Sequence, residues 1–153
     1  MPFIFALLTG IVAGSRAMMA PAAAAWFARL GLLDVSGTWL AFMASPWTVG
    51  IFTVLALVEL VTDQLPTTPS RTVPIQFTAR IISGAFSGAA VGTEGGSWPT
   101  GLFIGIVGAV IGTFGGRIVR GRLAAKFNND HPAALIEDVL ALALVLAVGF
   151  GLR

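Results

Sequence analysis

Long apolar segments, separated by short polar connections, dominate the pattern of this chain. A membrane-spanning helix needs roughly 20 mostly apolar residues, and five segments approach or exceed that length. They lie at about residues 3–30, 47–65, 75–92, 99–119 and 134–152. The pattern predicts an all-α fold, a polytopic integral membrane helical bundle of about five spans, within a range of four to six. All of them belong to one predicted transmembrane domain over residues 1–153.

The first segment differs from the others because it is too long for one perpendicular span. Gly14, Ser15 and Arg16 interrupt its apolar run, and Pro21 follows one turn later. Such residues bend or stop a helix. The segment is therefore predicted to be a kinked, tilted span or two half-helices, and a re-entrant pair that does not cross is a further variant.

The composition agrees with a protein in a lipid bilayer. Hydrophobic residues make up 56% of the chain and charged residues only 10%, against about 25% charged residues in soluble domains. Cysteine is absent, which excludes disulfides and thiolate metal sites. The net charge of +2 is carried between apolar segments, so there is no extended basic surface of the kind that binds nucleic acid.

The positive charges between the segments predict an orientation, since Lys and Arg in short loops favour the cytoplasmic side. Six of them lie on one predicted side and two on the other. The six are Arg71, Arg80, Arg117, Arg120, Arg122 and Lys126, and the two are Arg29 and Arg153. With five spans, the N-terminus is expected in the cytoplasm and the C-terminus outside. A re-entrant first segment would move the N-terminus outside.

Glycines recur at helical spacing in the third and fourth segments. Residues three or four apart share a helix face, and a face without side chains lets two helices approach closely in lipid. The predicted packing residues are Gly84, Gly88, Gly92, Gly105, Gly108 and Gly112. Five spans leave little room for an internal pathway, so a homo-oligomer is also predicted.

Charged residues occur inside or at the ends of the apolar segments. Glu59 and Asp63 lie four residues apart on one face of the second segment. An ionisable group within a membrane is costly and is a candidate for function by default. The predicted site, a polar chamber in the cytoplasmic half, comprises Arg16, Glu59, Asp63, Arg80, Arg117, Glu137 and Asp138. The alternative is a set of ion pairs that only fixes how the helices pack.

Catalytic chemistry is not predicted. His131 is the single histidine and stands beside a helix-capping sequence with Asn129, Asp130 and Pro132. The chain has no GxSxG sequence and no phosphate-binding glycine loop. We therefore expect no enzyme, no catalytic residue, no metal site and no cofactor.

Four stretches, "TGIVAGSRAMMAPAAAAW", "VELVTDQLP", "ARIISGAFSGAAVG" and "LIEDVLALAL", resemble successive landmarks of the DUF4126 family. The likeness covers nearly the whole chain, although Gln64 stands where relatives often have lysine. It implies a small, all-helical, multi-pass protein of the bacterial inner membrane. It implies no substrate, because the family is one of unknown function.

These observations predict a channel or transporter for an ion or small polar solute. A scaffold or accessory subunit that transports nothing is the alternative from a different class. Lipid handling is a third reading, suggested by the cluster of basic residues from Arg117 to Lys126.

Overall fold

A computed structural model describes residues 1–65 and 70–153 of the protein. Within these residues the chain forms helices and no strands, which confirms the predicted all-α fold. The α-helices are α1 (Pro2–Ser15), α2 (Met19–Arg29), α3 (Pro46–Thr62), α4 (Pro74–Gly92), α5 (Trp98–Phe127) and α6 (Asp130–Gly151). Short 3-10 helices cover Trp39–Ala44 and Thr93–Gly95. Pro66, the last residue of the stretch "VELVTDQLP", lies outside the described residues.

The first apolar segment is broken into two helices. Helix α1 ends at Ser15, Arg16 has an extended backbone with φ −136° and ψ 101°, and α2 begins at Met19. The interruption falls where Gly14, Ser15 and Arg16 predicted it. A single continuous helix over 3–30 is therefore excluded, because the extended residue ends the hydrogen-bond ladder of α1.

Helix α2 turns back towards the end of the bundle where α1 begins. Phe3 near the start of α1 packs against Gly95, with 2.8 Å from its Cζ to a Cβ built on that glycine. Phe27 near the end of α2 packs against Gly149 of α6 in the same way, also at 2.8 Å. Helices α1 and α2 thus form a hairpin, as in the re-entrant variant.

We call the end of the bundle where α1 begins the tryptophan end, because Trp39 and Trp98 meet there edge to face with ring centroids 5.6 Å apart. Phe5 contacts Gly151 near the C-terminus, so both termini lie at this end. Termini at one end of the bundle are what the re-entrant variant predicts, and the five-span variant places them at opposite ends. Which side of a membrane each terminus faces stays a prediction.

Helix lengths bear on the predicted spans. Helices α5 and α6 are long and apolar enough to cross a membrane, whereas α1 and α3 are shorter apolar helices. Helix α5 continues to Phe127, eight residues beyond the predicted end at 119, and stops at Asn128 in the left-handed region with φ 52°. Arg, Leu, Ala and Lys in this extension are good helix formers. A membrane bundle of five spans stays a prediction.

Helix α6 begins at Asp130, four residues before the predicted start at 134. The Asn129 side chain accepts a hydrogen bond from the His131 backbone N–H at 3.1 Å. Asparagine is a favoured residue at this capping position. The cap therefore brings the helix start forward into the polar connection.

Glycine faces bring α1, α4 and α5 together at the centre of the molecule. A Cβ built on Gly88 of α4 would lie 2.6 Å from the Gly105 Cα of α5. On the other side of α5, a Cβ built on Gly108 would lie 2.9 Å from the Gly10 Cα of α1. Close contacts of this kind involve all six predicted packing residues, namely Gly84, Gly88, Gly92, Gly105, Gly108 and Gly112. The glycine faces of α1, α4 and α5 therefore pack against one another within one chain.

Candidate functional site: a charged layer at the helix break

Charged side chains from several helices converge around the break between α1 and α2. We call this set the charged layer. It comprises Arg16, Glu59, Asp63, Arg71, Arg80, Arg120, Glu137 and Asp138. Six of its members are predicted site residues. They come from distant parts of the sequence, and the fold brings them to one level of the bundle.

Arg16 is the centre of the charged layer. It is 0% exposed, although it stands in the extended backbone of the break. Its Nε donates to Asp138 Oδ1 at 2.6 Å, its Nη1 pairs with Asp63, and its Nη2 lies 3.9 Å from Glu137 Oε2. A buried charge needs such partners, because desolvation otherwise costs several kcal/mol per ion. Arg16 therefore ties the break to both α3 and α6.

Glu59 holds the start of α2. Its two carboxylate oxygens accept the backbone N–H groups of Ala17 at 2.6 Å and Met18 at 2.8 Å. The first N–H groups of a helix have no partner within it and carry partial positive charge. A carboxylate from α3 thus replaces the local cap that α2 lacks, since no side-chain cap is present at Met18.

The end of α1 is held by donors from α4 and α5. Arg80 Nη1 donates to the Gly14 carbonyl at 2.9 Å, and Thr113 Oγ1 lies 3.3 Å from the same oxygen. Ser83 Oγ donates to the Ala17 carbonyl within the break. These contacts satisfy carbonyls that the interrupted helix leaves free. The break is thus stabilised by hydrogen bonds from the neighbouring helices α4 and α5.

Arg71 and Arg120 belong to the charged layer but were not among the predicted site residues. Arg71 forms a two-pronged ion pair with both oxygens of Glu137. Arg120 Nη1 lies 3.7 Å from Glu137 Oε2, and its Nε donates to Asp130 at 2.9 Å. The spacing of Arg117 and Arg120, three residues apart, places them as neighbours on one helix. That signal, together with a longer α5, would have brought Arg120 into the prediction.

Arg117 is the predicted site residue that does not join the ion pairs. It is exposed, and none of the described carboxylates lies within 4.0 Å of it. It lines a cleft of about 320 Å³ beside the charged layer. We call this the arginine cleft, and its charged lining residues are Asp63, Arg71, Arg80, Arg117, Arg120 and Asp130.

The charged layer is built from carboxylates and guanidinium groups. Among residues 1–65 and 70–153, no group of three acidic or histidine side chains is arranged to hold a metal ion. Carboxylates and guanidinium groups instead face each other at hydrogen-bond distance.

Comparison with known proteins gives one family. The family model described as "Domain of unknown function (DUF4126)" matches residues 4–150. The chain belongs to this family. The match confirms the resemblance of the sequence, and it covers every helix that supplies the charged layer. No curated protein and no solved structure matches this DUF4126 protein.

Proposed function

We propose that this DUF4126 protein is a multi-pass membrane protein that moves an ion or small polar solute through its charged layer. The observation that carries the proposal is Arg16, wholly buried in a helix break and paired with Asp63 and Asp138. Transporters often build their sites from discontinuous helices whose ends face the solute. Intramembrane ionisable residues are functional candidates by default.

The proposed topology has four spans and one hairpin. Helices α3 to α6 cross the bilayer, and α1 and α2 enter from the tryptophan end and return to it. Gly116, next to Arg71 and Glu137, lies 18 residues from Trp98 along α5. At a rise of ~1.5 Å per residue this is about 27 Å, close to the ~30 Å thickness of the hydrocarbon core. The charged layer then lies near one face of the membrane.

The charge bias orients this topology. The basic part of α5 beyond the charged layer contains Arg122 and Lys126, next to Arg120 of the layer itself. The positive-inside rule places these residues in the cytoplasm, most naturally in a bacterial inner membrane. Both termini and the tryptophan end then face outside. Because the charged layer borders the cytoplasm, a solute would cross most of the membrane between it and the tryptophan end.

Glu59→Gln is expected to lower transport strongly while the protein keeps its assembly. A glutamine can still accept one N–H of α2, but it loses the charge that faces the positive helix end. Hydrogen bonds to charged groups contribute about 1.5–3 kcal/mol, so flux should fall about 10- to 100-fold. The measurement is uptake of protons, common ions and small anions into proteoliposomes.

The matched control is Glu94→Gln at the tryptophan end. Glu94 also accepts a backbone N–H, that of Asp34 at 2.7 Å, but it lies outside the charged layer. This variant should transport like the wild type. Equal flux in both variants, or no wild-type flux across the panel, would count against transport.

A scaffold or accessory subunit is the second candidate, favoured by one face of α3. Trp47 is 80% exposed, and a shallow apolar groove runs beside it with Gly50, Ile51 and Val54. In a bilayer this face meets lipid, a second copy or a partner helix. Co-purification of a partner in fixed proportion, without any flux, would favour this candidate. A dimer mass by light scattering would support the predicted homo-oligomer.

A further inference from the structure

We infer that the arginine cleft binds a phosphate-type oxyanion. The inference names the solute class of the charged layer and rests on the proposed function in that respect. Four arginines line the cleft, Arg71, Arg80, Arg117 and Arg120, against the two aspartates Asp63 and Asp130. Some of these charges are already neutralised by ion pairs within the chain, and only the others are free to hold an anion.

Both aspartates of the cleft already form ion pairs within the chain. Asp63 pairs with Arg16, and Asp130 accepts hydrogen bonds from Arg120. Arg71 is likewise taken by the two oxygens of Glu137. The internal ion pairs therefore leave no carboxylate for the remaining cations of the cleft.

Arg80 and Arg117 are those remaining cations. None of the described carboxylates lies within 4.0 Å of either one. Arg80 is only 3% exposed, and its Nε has no hydrogen-bond acceptor among the described residues. A buried guanidinium group without a counter-ion is costly. An anion in the cleft would lie beside this guanidinium group and balance its charge.

The chemistry of the lining favours an oxyanion with several acceptor oxygens. A guanidinium group presents a planar set of N–H donors that matches phosphate or carboxylate with two parallel hydrogen bonds. Ser70 and Gln76 add neutral donors beside Arg80 and Arg117. The volume of about 320 Å³ is at the small end of ligand pockets and suits phosphate or a small phosphoester group.

The test is binding of inorganic phosphate to the purified protein in a neutral detergent, measured by isothermal titration calorimetry. Arg117→Gln should weaken binding at least about tenfold, because one of the two unpaired charges is lost. Arg117 is exposed and makes no internal ion pair, so this variant keeps the fold. The matched control is Arg122→Gln, an exposed arginine of the same helix that does not line the cleft.

A second arm identifies the source of the phosphate group. Wild type and both variants are placed in nanodiscs of phosphatidylcholine with a minor fraction of phosphatidylglycerol, and co-purified lipid is quantified. Saturable phosphate binding that only Arg117→Gln loses supports a free phosphate or phosphoester. Enrichment of phosphatidylglycerol that only Arg117→Gln loses supports a lipid headgroup.

Absence of both effects, or equal loss in Arg122→Gln, overturns the inference. Binding is read without transport, so the two proposals fail separately. Phosphate binding without any flux would refute the transport proposal and leave the site in place. Flux that depends on Glu59, without phosphate or headgroup binding, would refute the site and leave transport in place.

Discussion

Arg16→Gln should lower the free energy of unfolding by about 3–5 kcal/mol, the cost of leaving buried carboxylates without their counter-ion. Arg16 is wholly buried and contacts both Asp63 and Asp138. Glutamine can donate a hydrogen bond to one carboxylate but cannot balance either charge. The hairpin of α1 and α2 should therefore loosen from α3 and α6. Unfolding in mixed micelles with increasing SDS measures the loss.

Two further variants test whether the loss of stability in Arg16→Gln comes from its buried ion pairs. Arg29→Gln removes the same charge at an exposed position of α2 and should change stability by less than about 0.5 kcal/mol. Asp63→Asn added to Arg16→Gln should recover part of the loss, because one unpaired carboxylate is removed. If Arg16→Gln is as stable as Arg29→Gln, the ion pairs do not hold the break.

Gly105→Ala should destabilise the packing of α4 against α5. The added Cβ would lie 2.9 Å from the Gly88 Cα, and the Gly84 carbonyl oxygen is closer still. Both neighbours are backbone atoms, so only a separation of α4 from α5 relieves the overlap. Overpacking of this kind costs typically about 1–3 kcal/mol. The same SDS titration measures it.

Gly115→Ala is the matched control in the same helix. No atom lies within 4 Å of a Cβ built on Gly115, so the substitution meets open space. Alanine is intrinsically better than glycine in a helix by up to about 1 kcal/mol in water. Stability should therefore stay equal or rise. A similar loss in both variants, or no loss in Gly105→Ala, would contradict close backbone packing as the role of Gly105.

Local sequence was sufficient to predict the helices and the break in the first segment. Apolar runs define the helical segments, and Gly14, Ser15 and Arg16 locate the interruption. The reversal of α2 was only one of the alternatives that the sequence left open. It depends on Glu59 from α3 capping α2 and on Arg80 from α4 capping α1. These partners lie more than 40 residues from the break along the sequence. No residue near the break indicates which distant side chains will contact it.

The candidate site shows the same division. Six predicted residues converge because an ionisable group in an apolar helix is costly unless it pairs with other charges in the interior of the bundle. Arg71 was missed because it stands in a polar connection, where a charge needs no special explanation. Arg117 was predicted as a partner of the carboxylates, but the longer α5 presents Arg120 to Glu137 instead. Which of two neighbouring arginines pairs is decided by three-dimensional packing.

Transport requires that a solute can reach the charged layer, and chemical labelling of a Ser83→Cys variant measures this access. Ser83 donates to the Ala17 carbonyl in the break and is only 5% exposed. The natural chain has no cysteine, so the introduced thiol is unique. In membrane vesicles of known sidedness, a charged methanethiosulfonate reagent reports on access, with Lys126→Cys and Arg153→Cys as references for the two sides.

We expect the Ser83→Cys thiol to react from an aqueous side at a measurable rate, which requires the charged layer to open. Lys126→Cys should react from the cytoplasmic side and Arg153→Cys from outside. A Ser83→Cys thiol that stays unmodified from both sides, while both reference thiols react, would contradict this access. The charged layer would then be a sealed set of ion pairs that holds the helices together.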